Sequence, residues 1–145
     1  MLLYLDTSSL VKLFIEERYS DTVREWTEAA EAVLTCRVAY PEALSAFRRR
    51  RTEGAIRIGD YRRLLDAFQH QWPDFASLEF DEILAGRLVL KHGLRGFDAV
   101  HLASASTLLS VSPAGTVAFS SFDKALTRAA AREGLTVIEP VAGVT

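Results

Sequence analysis

Residues 2–10, LLYLDTSSL, decide the reading of the fold. Strand-forming Leu and Tyr run into Asp6 and a set of hydroxyls, and an apolar, helix-like run, LVKLFI (10–15), follows at once. A carboxylate at the end of a buried strand is costly to desolvate unless something there needs its charge. Further along, short apolar runs recur as candidate strands: AVLT (32–35), SLEF (77–80), TVAF (116–119) and LTVIE (135–139), after LLYL (2–5). Segments of helical period lie between them. Tyr61, Leu64, Leu65, Phe68 and Trp72 fall on one stripe, as do Phe122, Leu126, Ala129 and Ala130. Gly54, Gly93 and Gly134 each stand just past a helical run, where a left-handed residue ends a helix. Strands alternating with helices predict an α/β sandwich, its mostly parallel sheet of about five strands covered on both faces. Ligands of such sheets bind beyond the carboxyl ends of the strands.

With 145 residues, 49% apolar and 25% charged, the chain reads as a single globular domain over 1–145. No apolar run approaches the roughly 20 residues that span a bilayer, so no membrane role is expected. The start, MLLYLD, lacks the basic region of a secretion signal. Cys36 is the only cysteine, which fits a reducing, cytoplasmic compartment and a small buried side chain at a strand end. A net charge of −2 excludes a general nucleic-acid sponge, yet four arginines stand together at 48–51.

Four acids occupy equivalent places. Asp6 ends the first strand, Glu42 follows a proline suited to a first helical turn, Asp98 opens an Ala-rich helix, and Asp123 follows the fourth strand. Any one of them has a simple explanation as a helix cap or a partner of the helix dipole. Together they suggest convergence, because three of them flank strands whose ends should meet. Crowded carboxylates raise one another's pKa and cannot all ionise unless a cation joins them. All-oxygen ligands select Mg²⁺ or Mn²⁺ over zinc, and such an ion is suited to hydrolysing a phosphodiester.

YLDTSSLVKLF, YPEALSAF, LRGFDAVHLASA and FSSFDKAL, in that order and spacing, resemble the PIN-domain ribonucleases, and within them the VapC-type toxins of toxin–antitoxin pairs. The resemblance implies a PIN-like three-layer α/β/α sandwich and a Mg²⁺-dependent endoribonuclease. It makes Asp6, Glu42, Asp98 and Asp123 the acidic quartet. Asp6 and Asp98 lead as metal ligands with Asp123 assisting, while Glu42 orients or deprotonates the attacking water. Ser8 and Ser121 fill the family's hydroxyl positions. RNA as substrate, a cognate antitoxin as partner and a homodimer are implied in the same way. A non-catalytic RNA- or protein-binding descendant of the fold is the alternative.

Other residues carry weaker expectations. Lys12 and Lys124 read first as solvated surface lysines that could meet phosphate. His101, one turn from Asp98, reads as a packing or supporting histidine rather than a catalytic one. Arg48–Arg51 cannot share one helix face, so at least one should snorkel along the helix or pair with an acid such as Glu53, while the rest, with Arg57, Arg62 and Arg63, form a solvated face or an RNA strip. The broad stripe of LVKLFI offers a groove for another chain, a helix buried on two sides within the domain, or one buried at a homodimer interface.

Overall fold

The computed structural model describes residues 1–143. Its sheet is built from β1 (Leu2–Leu5), β2 (Ala32–Cys36), β3 (Ala76–Leu78), β4 (Val117–Ser120) and β5 (Thr136–Val137), ordered 3-2-1-4-5 with every pairing parallel. The expected five strands are all present. β3 and β5 are shorter than the apolar runs suggest, as befits edge strands that pair on one side only.

Alternation along β1 divides the core. Leu3 and Leu5 face one side, Tyr4 the other, and Ala118 and Phe119 of β4 divide in the same way. The first side is covered by α1 (Thr7–Val11), α2 (Ser20–Ala29), α3 (Ala39–Thr52) and α4 (Ile58–Gln71). Its packing is aromatic: Phe47, Phe68, Tyr40 and Trp72 meet edge-on or stacked. The second side is covered by α5 (Glu82–His92), α6 (Gly96–Ser110) and α7 (Lys124–Arg132), and small residues dominate there. Ala99 to Ala105 of α6 are all buried, so this middle stretch of the helix has no free face and is mostly apolar on every side. Three layers result.

Two local expectations change. LVKLFI is not one helix: α1 starts at Thr7 and stops at Val11, and turns follow. Leu10, Val11 and Ile15 are buried, with Leu13 and Phe14 half-buried against the same core, so most of the broad stripe packs inside the domain. Phe122 lies ahead of α7, where it stacks on Tyr19 instead of extending the Leu126–Ala129–Ala130 stripe. Gly54, Gly93 and Gly134 all have positive φ at or just beyond helix ends, as expected. Among the described residues no helix is long and apolar enough to cross a membrane.

Candidate active site

Asp6 follows β1 directly, and its side chain caps α1. Oδ1 accepts from the Ser9 amide at 3.0 Å and from the Ser8 hydroxyl at 2.7 Å, and Oδ2 accepts from the Ser121 hydroxyl at 2.6 Å. The two serines also anchor the chain after β4, since Ser8 Oγ accepts from the Phe122 amide and Ser121 Oγ from the Asp123 amide. Both anchors hold one carboxylate. Asp6 is only 3% exposed, and burial raises its pKa against the opposing influence of His101 and the hydroxyls. It forms no ion pair among the described residues.

Glu42, in the first turn of α3, is held differently. Thr7 Oγ1 donates to its Oε1 at 2.6 Å, and His101 Nε2 lies 2.9 Å from the same oxygen and 3.0 Å from Thr7 Oγ1. On the far side of the ring, the Tyr4 hydroxyl meets His101 Nδ1 at 2.9 Å. A proton on Nε2 lets the ring donate towards Glu42, while Nδ1 faces the Tyr4 hydroxyl. Burial works to raise the Glu42 pKa, but the bonds from His101 and Thr7 outweigh it and leave the group below its ordinary value. His101 is buried and supports Glu42, as its place in the sequence suggests. Nothing in the sequence singles out Tyr4 and Thr7. Their partners lie 97 and 35 positions away, so no local pattern marks them.

Asp98 and Asp123 form an outer pair. Asp98 stands in the first turn of α6, and Asp123 caps α7 by accepting from the Leu126 amide. Arg95, just before α6, reaches both: Nε is 3.1 Å from Asp98 Oδ2, and Nη2 is 3.4 Å from Asp123 Oδ2. Its side chain is 81% exposed, so water competes for the contact. Sequence reasoning missed Arg95, although its place three residues before Asp98 was the available signal.

All four acids line a single cavity of about 900 Å³. Lys12, Arg49, Arg50 and Arg95 line it as well, so acids and cations share one depression. Lys12 is not a solvated lysine: it is buried, donates to Glu17 and to the Arg18 carbonyl, and covers the Phe122 ring. Arg50 pairs with Glu17 at 2.6 Å, not with Glu53. Of the arginine run only Arg49 and Arg50 reach the cavity. Lys124, Arg57, Arg62 and Arg63 do not line it, and Arg63 pairs with Asp60 on its own helix.

Among the described residues no three His, Cys, Asp or Glu side chains stand as a metal-coordinating group. Asp98 and Asp123 are turned to Arg95, and Glu42 to His101. The donor chemistry nonetheless fits a hard cation. Every candidate ligand is a carboxylate, and the innermost, Asp6, is a buried charge with no cationic partner of its own.

Known proteins share this arrangement of sheet and chain. The model of the PIN domain family matches residues 3–132. The chain belongs to the PIN-domain family. Ribonuclease VapC49 of Mycobacterium tuberculosis is 38% identical over 113 residues, covering 72% of this chain and 74% of that protein. Ribonuclease VapC35 of the same species is 30% identical over 143 residues, covering 96% and 97%. These relatives make the chain a VapC-type PIN domain. Among solved structures, PAE2754 from Pyrobaculum aerophilum superposes with a TM-score of 0.67 at 17% identity, covering 94% of this chain and 83% of that one. FitAcB from Neisseria gonorrhoeae gives 0.65 at 18%, covering 96% and 97%. At these identities the two structures speak to the fold, which they share with this PIN domain.

Proposed function

We propose that this PIN domain is a divalent-cation-dependent endoribonuclease acting as the toxin of a toxin–antitoxin pair. One observation carries the reading: Asp6, Glu42, Asp98 and Asp123, from four separate segments, line one cavity at the carboxyl ends of the central strands. The naming of its relatives as ribonucleases supports RNA as the substrate.

Asp6, Asp98 and Asp123 are the side chains that would hold Mg²⁺ or Mn²⁺, which when bound supplies charge stabilisation to a phosphoryl oxygen and acidifies water. The chain's own residues do the rest. Ser8, Ser9 and Ser121 fix the Asp6 carboxylate in one orientation before any ligand arrives. Glu42, ionised and aimed by Thr7 and His101, orients a water and accepts its proton. Arg49 gives the cavity wall positive charge for RNA phosphates, and Lys12 and Arg50, which share Glu17, leave a further net positive charge beside it. Arg95 offsets part of the charge of Asp98 and Asp123.

An antitoxin and a second copy of the chain are the protein partners that go with this reading. A single domain over 1–145 and a cytoplasmic location go with it too, and the free, buried Cys36 is consistent with the latter.

The alternative, a non-catalytic RNA- or protein-binding domain, is favoured by one feature: Arg95 closes the outer acids into ion pairs. An RNA-cleavage assay separates the two. Cleavage abolished by EDTA, restored by Mg²⁺ and absent in Asp6→Asn supports the enzyme. RNA binding without cleavage under the same conditions supports the alternative.

A further inference from the structure

Phe97 stands between Arg95 and Asp98 in the first turn of α6, and its side chain lines the cavity. It is 61% exposed, and of the exposed large apolar side chains among the described residues it alone lines that cavity. The other cavity phenylalanine, Phe122, is occupied by stacking on Tyr19 and by the Lys12 ammonium. Phe97 takes part in no aromatic pair among the described residues. Most of its ring is therefore left to solvent, while the helix holds its backbone in place.

The surroundings select the occupant. A helix or strand of a protein partner docks on a contiguous apolar patch, and the residues flanking Phe97 are Arg95, Gly96 and Asp98, with Arg49 and Arg50 also lining the cavity. Arg50 is paired with Glu17 and Arg95 with the outer acids, so Arg49 is the cavity guanidinium without an acid partner among the described residues. A ring beside such a cation can hold an unpaired nucleotide: the ring takes a base, and the guanidinium takes a phosphate. We propose that Phe97 is a stacking platform for a nucleobase beside the scissile phosphate, so that the cavity takes RNA with that base unstacked from its neighbours. The inference rests on the nuclease reading of the same cavity and adds a base-binding subsite to it.

The test measures binding of a short fluorescein-labelled single-stranded oligoribonucleotide of mixed sequence by anisotropy. Asp6→Asn serves as the parent, so that no cleavage intervenes. Phe97→Ala and Phe97→Leu in that parent should each raise Kd about tenfold, Phe97→Tyr should leave it within about twofold, and the corresponding duplex should not distinguish the four proteins. Leucine binding as well as phenylalanine would mean apolar contact without stacking and would overturn the proposal. Equal affinity of all four, or no measurable binding by the parent, would overturn it as well. So would a loss of self-association in sedimentation with RNA affinity unchanged. Cleavage by the unsubstituted protein is read separately. If it fails while binding still depends on Phe97, the nuclease reading falls and Phe97 is left as a base contact of an RNA-binding cavity that does not cleave. If cleavage proceeds while binding is indifferent to Phe97, the platform falls and the nuclease reading stands.

Discussion

The inner wall and the outer rim of the cavity carry the same kind of side chain and treat it in opposite ways. On the inner wall, Asp6 and Glu42 are held by hydroxyls, an amide and an imidazole, all supplied by the strand ends and helices packed around them. On the rim, Asp98 and Asp123 are joined by the exposed Arg95. Neutral donors fix orientation without cancelling charge, whereas a guanidinium cancels charge and can leave. The inner wall is therefore preorganised, and the rim is where an incoming cation or phosphate changes the structure.

The largest effect should come from breaking the inner wall at Asp6. Asp6→Asn should lower the cleavage rate by about a thousandfold or more. Its melting temperature should hold or rise, because a buried charge is removed. A rate near that of the unsubstituted protein would defeat the inner-wall assignment. Next, Glu42→Gln should reduce kcat by about a hundredfold with KM little changed, as expected for a proton acceptor.

His101→Ala sits between chemistry and stability. It takes the support from Glu42 and leaves the buried Tyr4 hydroxyl without its partner, so activity should fall roughly ten- to a hundredfold. Unfolding free energy should drop by about 1–3 kcal/mol in denaturant titration. Equal losses in Glu42→Gln and in His101→Ala/Glu42→Gln would show that the ring acts through Glu42.

At the rim, Arg95→Gln should leave the melting temperature unchanged and strengthen Mn²⁺ binding severalfold by calorimetry, since a competing charge is gone. Weaker Mn²⁺ binding would instead make Arg95 a support for the acids.

The smallest effect concerns pH. The folded pKa of Glu42 lies below its ordinary value of 4.5, so the folded state holds its proton less tightly than the unfolded chain. Its contribution to stability is full above that value and fades as pH falls towards the folded pKa. Glu42→Gln should flatten that part of the acid limb of the stability profile. An unchanged acid limb would remove Glu42 from the preorganised inner wall.

The quartet was legible because each acid announces itself locally, as a charge after a strand or in the opening of a helix. So was Ser8, two residues from the carboxylate it bonds, whereas Ser121 stands two residues from Asp123 but donates to Asp6, 115 positions away. Arg49 and Arg50 could not be told from Arg48 and Arg51, because helical period alone does not say which face meets a cavity. The apolar run 10–15 misled, since its helix ends at Val11 and the turns that follow carry Leu13, Phe14 and Ile15 into the core.

By itself the sequence determined the alternation of strands and helices, the parallel sheet and the acids at its carboxyl edge. These depend on periodicity and on what one residue does at the end of one element. Only the tertiary structure decided that Tyr4, His101, Thr7 and Glu42 form one chain of contacts, and that Arg95 spans two acids from separate helices. Those pairings depend on how α3, α6 and the loop after β4 meet around Asp6. Hydrogen bonds act over about 3 Å, and no rule of local spacing brings such distant residues within that reach.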